Sequence, residues 1–415
     1  DANFGIMSRD VEVASRIAEL KHRTGAPSFF GFNVAKNTTK HLTELVDRLV
    51  SANVTPYFTL ALQTRDDETL ESIRRSNISS DHYVSLAASF RRRQLPVSAD
   101  LMIGLPGQTV ESFSKDLQFL MDHDVPARMW IAQLLPNAPI NDPEYRAEHQ
   151  VVSDENSMIM ATRSFTVEDR REMLRIRHAY TVFERYGLLR HVTRFAQWDH
   201  GVPAMDVILR IVEVSREDPE RYPLLNWIVR YFDWFNVAPL GWGSYAAEVR
   251  RFLNAEFGVP LTSALETVLA LQVALLPDTA RSFPASVALD HDYLTYFRDN
   301  THSLWVDGHN RPTGRPLADY GPATFTIVGD PAGRCREGMR RPPDSRNERM
   351  MEEFWLSGHW ELDSPLAQTH SEVVGAGTYT SLADQLPPDL PPEPERAPRV
   401  TDNIRIRVAE RAAVG

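Results

Sequence analysis

A single cysteine, Cys335, in a chain of 415 residues excludes an intramolecular disulfide framework, and excludes any iron–sulfur or zinc site built from several thiolates of this chain. Basic residues are also in short supply: 45 Lys and Arg stand against 56 Asp and Glu, giving a formal charge of −11. Holding a nucleic acid by phosphate neutralisation requires a basic face, so no nucleic-acid partner is expected. The densest basic run, Arg91-Arg92-Arg93, reads as a solvated helix end. No apolar run reaches the roughly 18 residues that span a bilayer, and the N-terminus lacks the basic and apolar regions of a signal peptide. The expectations are therefore no membrane partner and a cytoplasmic location. The first residue is Asp1 rather than methionine, so the natural start is expected upstream, although processing or cloning gives the same end.

What is present is enough for a real core. With 42% apolar and 24% charged positions, the length suits one large barrel plus an appendage, or two domains. Residues 1–150 alternate short β-rich apolar runs with amphipathic helical stretches, which is the pattern of repeated βα units and a parallel sheet. A helix is predicted over Ser8–Thr24, with Ile17 and Leu20 inward and Gly25 and Pro27 ending it. Ser28–Val34 then reads as a buried strand. A second helix, Thr39–Ala52, carries Leu42, Leu45, Val46 and Leu49 at spacings of three and four. The strand Val54–Leu62 follows, then helical segments Asp66–Arg75 and Ser79–Gln94. Val97–Ile103 is the third strand, Val110–His123 a helix, and Arg128–Leu135 the fourth strand, broken by Pro136-Asn137-Ala138-Pro139.

From about Thr162 the pattern becomes long helices: Val167–Tyr186, Ala204–Val214, Ser244–Phe257 and Leu261–Leu275. The expected division is a barrel part over 1–150, a mostly helical domain over 151–300, an irregular extension over 301–385 and a Pro-rich, flexible tail over 386–415. Four strands in this order fit either a (β/α) barrel or an open doubly wound sheet. A barrel part with a missing edge needs its first strands from elsewhere.

The most informative segment is Asp100-Leu101-Met102-Ile103-Gly104-Leu105-Pro106-Gly107-Gln108-Thr109. An apolar strand running into a Gly-Pro-Gly turn and a helix lets backbone approach a ligand closely. Taken alone it is equally an ordinary βα turn, since such turns favour glycine. The segment resembles the Gly-Leu-Pro-Gly-Glu-Thr element at the fifth barrel strand of radical S-adenosylmethionine (SAM) enzymes, especially the class with an N-terminal cobalamin (B12)-binding domain. Three further pieces fall in the matching order. Asp1-Ala2-Asn3-Phe4-Gly5 resembles the Asp-Asp-Asn-Phe segment at the end of the second strand of that class. Gln63-Thr64, with Leu70, Ile73 and Arg75, resembles its fourth-strand pattern. Leu134-Leu135-Pro136-Asn137-Ala138-Pro139 resembles the end of its sixth strand.

The resemblance implies a fold, a set of cofactors and a set of contacts. The fold is a partial radical-SAM TIM-type barrel lacking its first strands, in an α/β chain with a mostly α-helical C-terminal domain. Asp1 and Asn3 would face the methionyl end of SAM, Gln63 the ribose, and Leu135 and Pro136 the adenine, with Gly104, Gly107 and Gln108 forming the turn beside it. The family acid after the turn is here Gln108, which keeps hydrogen-bonding capacity but loses the charge. The Cys-x3-Cys-x2-Cys loop that would hold a [4Fe-4S] cluster is not in this chain, and Cys335 does not replace it. The implied parent is an enzyme that cleaves SAM at the cluster to a 5'-deoxyadenosyl radical. It would act on a small-molecule substrate, draw on an electron donor, and use cobalamin, with C-methyl transfer as a candidate reaction; the chain by itself would be inactive.

Two other readings stand beside this one: a cluster-less barrel protein acting as a binding or scaffold partner, and an unrelated phosphate-binding βα-barrel enzyme. Lys36 and Asn37, past the third strand of the implied barrel, are candidates for its C-terminal rim. His178, His191 and His200, with Asp199, read either as scattered helix residues or as a metal site. Trp227, Trp234, Phe235 and Trp242 read as core or as substrate-pocket lining. Glu168, Asp169 and Glu172 read as complement to a helix dipole. The helical region would shape the substrate pocket, but it carries no motif that names the substrate.

Overall fold

The structure, a computed structural model, describes residues 4–27, 29–33, 41–76, 83–87, 97–185, 187–231, 242–276, 282, 285–303 and 313–327. Asp1, Asn3, Lys36, Asn37, Arg91-Arg92-Arg93, Trp234, Phe235, Cys335 and the segment 386–415 lie outside the described residues, as does the side chain of Trp227. The chain divides into two compact units, with the boundary between Leu174 and Arg175.

The first unit opens with helix α1, Ser8–Thr24. Its start is held by Asp10, whose Oδ2 accepts the Gly5 and Met7 amides at 2.9 and 3.0 Å. Its end is set by Gly25, left-handed at φ 77°, which donates its N–H to the Lys21 carbonyl, and by Lys21, His22 and Arg23 against the negative end of the dipole. The buried face is Asp10, Val11 and Ala14, whereas Leu20 is 40% exposed. The expected inward Leu20 is thus corrected: the helix turns its smaller residues to the core.

Strand β1 is Phe29–Asn33, followed by helix α2, Leu42–Ser51, strand β2, Thr55–Gln63, and the short helix α3, Asp67–Ser72. Leu42, Leu45, Val46 and Leu49 form the buried stripe of α2, as their spacing predicts. A helix α4 is described over residues 83–87. Strand β3, Val97–Ile103, helix α5, Val110–Asp122, and strand β4, Ala127–Ile131, complete the βα series. Helix α6, Pro143–Glu148, and a small antiparallel pair, β5 (Val152–Ser153) and β6 (Ile159–Ala161), follow.

All pairings among β1–β4 are parallel, and the spatial order is the chain order, β1-β2-β3-β4. On one face Ala99, Leu101, Ile103, Ala127 and Met129 are buried. The alternate residues project from the other face. There Arg128 donates through Nε to Asp100 at 3.0 Å and through Nη2 to Thr59 at 2.8 Å, linking three adjacent strands, and Trp130 is 43% exposed. The fourth strand ends at Ile131 rather than at the expected Leu135. Beyond it the chain turns to antiparallel pairing, with a bridge between Gln133 and Met158 and the Leu134 amide donating to the Ser157 carbonyl at 2.8 Å.

Helix α7, Val167–Tyr180, crosses the unit boundary. At its start Asp169 Oδ2 accepts both the amide and the hydroxyl of Thr166, each at 2.8 Å. The second unit continues with a single wide helical turn, Thr181–Arg185, and helices α8 (Arg190–His200), α9 (Ala204–Glu217), α10 (Pro223–Tyr231), α11 (Trp242–Phe257), α12 (Ser263–Leu275) and α13 (Tyr293–Ser303). An antiparallel pair, β7 (Ala285–Leu289) and β8 (Ala323–Ile327), completes it. Buried Glu184 Oε1 accepts from Arg194 Nη2 at 2.6 Å, and buried Glu248 Oε1 accepts the amides of Leu224 and Leu225 at the start of α10. Trp242 is buried, on the core side of its two readings. No helix among the described residues is long and apolar enough to cross a membrane.

Candidate functional site

In a parallel sheet the strand carbonyls and the loops that follow them gather at one end, and ligand sites lie there. Here that end comprises the exits of β2, β3 and β4. Gln63 closes β2 in a left-handed conformation, φ 64°, and its Oε1 accepts from Arg75 Nη1. Burial lowers the pKa of the Arg75 guanidinium. Thr64 and Arg65, the next two residues, bond to Asp116 of α5: the Thr64 hydroxyl donates to Oδ2 at 2.7 Å and the Arg65 amide to Oδ1 at 2.8 Å. The Arg65 guanidinium lies 3.4 Å over the Phe119 ring. Desolvation pushes the Asp116 carboxyl up to about 6, against the opposing pull of its two bonds and of Arg65.

The turn after β3 is built from within. Gly104 (φ 87°) and Gly107 (φ 93°) take conformations that side chains resist. Gln108 is fully buried; its Oε1 accepts the Gly104 amide at 2.7 Å and its Nε2 donates to the Met102 carbonyl at 2.9 Å. Gly107 donates its amide to Ser164 Oγ at 3.0 Å. A Cβ on Gly107 would lie 2.6 Å from Ser72 Oγ and 2.8 Å from Thr69 Cα, so the glycine is required by its packing on α3. A Cβ on Gly104 would meet nothing nearer than Phe165 Cζ at 3.6 Å. Thr109 then starts α5 with reciprocal bonds to Ser112.

At the exit of β4, Leu135 is 56% exposed, Pro136 is exposed, and Asn137 is left-handed at φ 63°. Phe4 packs edge-on against Phe30 and Phe32 of β1, with ring centroids at 5.4 and 5.1 Å, which fixes the described end of the Asp1–Gly5 segment beside that strand.

The structure therefore places Gln63 and Gly104 at the ends of neighbouring strands, and Leu135 and Pro136 in the exposed stretch that follows β4 after the bridge to Met158. It turns Gly107 toward α3 and Gln108 into its own loop, while Asp1 and Asn3 lie outside the described residues. Asp116 and Ser164 are the polar residues that sequence reasoning missed. The available signal for Asp116 was a carboxylate in register with Phe113, Leu117 and Leu120 on one helix face. Among the described residues no group of three or more His, Cys, Asp or Glu is placed to hold a metal ion, and His178, His191 and His200 form no such group.

Residues 7–120, which include β1–β3 and the whole Gly104–Thr109 turn, match the radical SAM superfamily. The match is confined to this segment. Over 146 residues, 35% of this chain, it is 35% identical to the cobalamin-dependent radical SAM methyltransferase TokK of Streptomyces tokunonensis, covering 21% of that protein. Over the same length it is 34% identical to the 2-(S-pantetheinyl)-carbapenam-3-carboxylate methyltransferase of Streptantibioticus cattleyicolor, again 21% of that protein. A tRNA-2-methylthio-N(6)-dimethylallyladenosine synthase of Acinetobacter baumannii is 29% identical over 128 residues, 29% of this chain and 26% of that protein. The chain spans about a fifth of the length of the first two relatives.

Proposed function

We propose that this chain supplies the later strands of a radical SAM barrel and part of its SAM-binding rim, in an enzyme of the cobalamin-dependent methyltransferase class. The observation that carries the reading is the union of the radical SAM match with an all-parallel sheet in chain order, in which Gln63 and Gly104 end or follow neighbouring strands. The names of both relatives support methyl transfer, and that of TokK supports cobalamin. The electron donor and small-molecule substrate expected of such an enzyme belong to the same proposal.

The residues fit SAM and not its cluster. The Gly104 turn carries no side chain between its backbone and a ligand, Gln63 is partly exposed, and Leu135 and Pro136 present apolar surface for a base. The cluster, by contrast, requires three thiolates, and the chain has the single Cys335. In radical SAM enzymes the bound cofactor supplies a 5'-deoxyadenosyl radical; the part of this chain is to bind and orient it. Gln63 offers hydrogen bonds to the ribose hydroxyls, Gly104 allows close backbone approach, and Leu135 and Pro136 cover the adenine. Asp1 and Asn3 complete the proposed contacts at the methionyl end.

Equilibrium dialysis of SAM against the whole natural protein tests the reading. Binding that weakens in Gln63→Ala and Gly104→Val supports it; absence of SAM binding sinks it. The single cysteine also favours a second reading, a cluster-less barrel serving as a binding partner. The coding sequence upstream of Asp1 separates the two: an in-frame Cys-x3-Cys-x2-Cys supports the radical enzyme, and a start codon close to Asp1 supports the partner.

A further inference from the structure

Asp116 lies on the stripe of α5 that buries Phe113, Leu117, Leu120 and Met121, and it is 2% exposed. A carboxylate desolvated among apolar side chains is costly unless its oxygens are bonded. Both are bonded to one short stretch of chain, Oδ2 by the Thr64 hydroxyl and Oδ1 by the Arg65 amide. Thr64 Oγ1 in turn accepts the Asp66 amide at 3.1 Å, and Asp66 caps α3 through Thr69. The residue immediately before this anchored stretch is Gln63, whose left-handed backbone persists only where its surroundings fix it. At its other end α5 begins from the Gly104–Thr109 turn. One buried carboxylate thus ties the exit of β2 to the helix that follows the exit of β3.

Resting on the SAM reading above, we propose that Asp116 is a positioning residue: through Thr64 and Arg65 it holds Gln63 in the conformation that meets the ribose of SAM. The charged and titratable groups around it are Arg65 and Asp66, with Asp67, Asp122 and Tyr83 around Arg65 and His123 beyond it. Both bonds require an oxygen of Asp116 opposite Thr64 and Arg65, and an apolar side chain in its place removes both.

The test is SAM affinity by equilibrium dialysis on the whole natural protein at pH 7.5, for wild type, Asp116→Ala, Thr64→Val and Leu49→Ala. Leu49 is buried on α2 beside the start of β2, away from the rim, and its variant controls for general loss of packing. Asp116→Ala and Thr64→Val are expected to raise Kd about tenfold or more, the effect of losing at least one buried hydrogen bond. Leu49→Ala keeps the wild-type value despite a lower Tm. Wild-type affinity in both rim variants, or an equal loss in Leu49→Ala, overturns the positioning role and leaves the SAM reading standing. Failure of wild type to bind overturns both. If Asp116→Ala does not fold, Thr64→Val decides.

Discussion

The side-chain oxygen of Gln108 accepts the Gly104 amide at 2.7 Å, across the turn that both residues belong to. Its nitrogen donates to the Met102 carbonyl at 2.9 Å, so the buried amide uses a donor and an acceptor at once. A carboxylate can fill only the acceptor role, which gives a physical account of an amide at a position where the family carries an acid. Gln108→Glu is expected to lower stability by about 1–3 kcal/mol at pH 8, with partial recovery at pH 5 as the acid regains a proton to donate. Urea unfolding at the two pH values checks it; equal stability at both would mean that Met102 finds another donor.

The two glycines of the turn should respond differently to alanine. At Gly107 the new methyl collides with α3, and φ is also unfavourable, so Gly107→Ala should lose about 3 kcal/mol or more. At Gly104 only the backbone conformation is penalised, and about 1 kcal/mol is expected. Urea midpoints of the two variants, measured side by side, give the comparison; equal losses would sink the packing argument for Gly107.

Asp116 also makes stability depend on pH. Its folded carboxyl titrates at about 6, above the ordinary 3.8, so the folded state holds the proton more tightly than the unfolded chain. The associated stabilisation is full below about pH 4 and is lost as pH rises through 6, on the order of 2–3 kcal/mol. Asp116→Asn should remove this slope, which unfolding curves taken between pH 4 and 7 would show.

In the second unit, Glu184 faces Arg194 at 2.6 Å and Arg190 at 3.5 Å, with Glu184 and Arg194 both buried. Glu184→Gln leaves guanidinium charge inside without its carboxylate and should cost about 3–5 kcal/mol. A loss below 1 kcal/mol in thermal or urea unfolding would show that other groups carry the compensation.

The elements with strong local signals were legible in the sequence. Gly25 and the basic turn before it mark the end of α1, and the spacing of Leu42, Leu45, Val46 and Leu49 gives α2 and its buried face. What failed was decided by contacts distant in sequence. Leu20 points outward because Asp10 is recruited to hold the Gly5–Met7 amides, which orients α1 on Asp10, Val11 and Ala14. Strand β4 stops at Ile131 because the chain beyond it pairs with the hairpin around Met158, a partner no local pattern announces. At the candidate site, the strand-end motifs gave the end of β2 at Gln63 and the turn after β3 at Gly104. The anchors Asp116 and Ser164 were invisible because each serves a loop 50 or more residues away.

Each strand of the main sheet pairs with the one that precedes or follows it in the chain, and none is skipped. Ribosomal synthesis therefore delivers every strand directly to its partner: once β1 and β2 have met, β3 needs only to extend the growing edge, and β4 repeats the step. Loop closures stay short, which favours rapid folding for a parallel sheet.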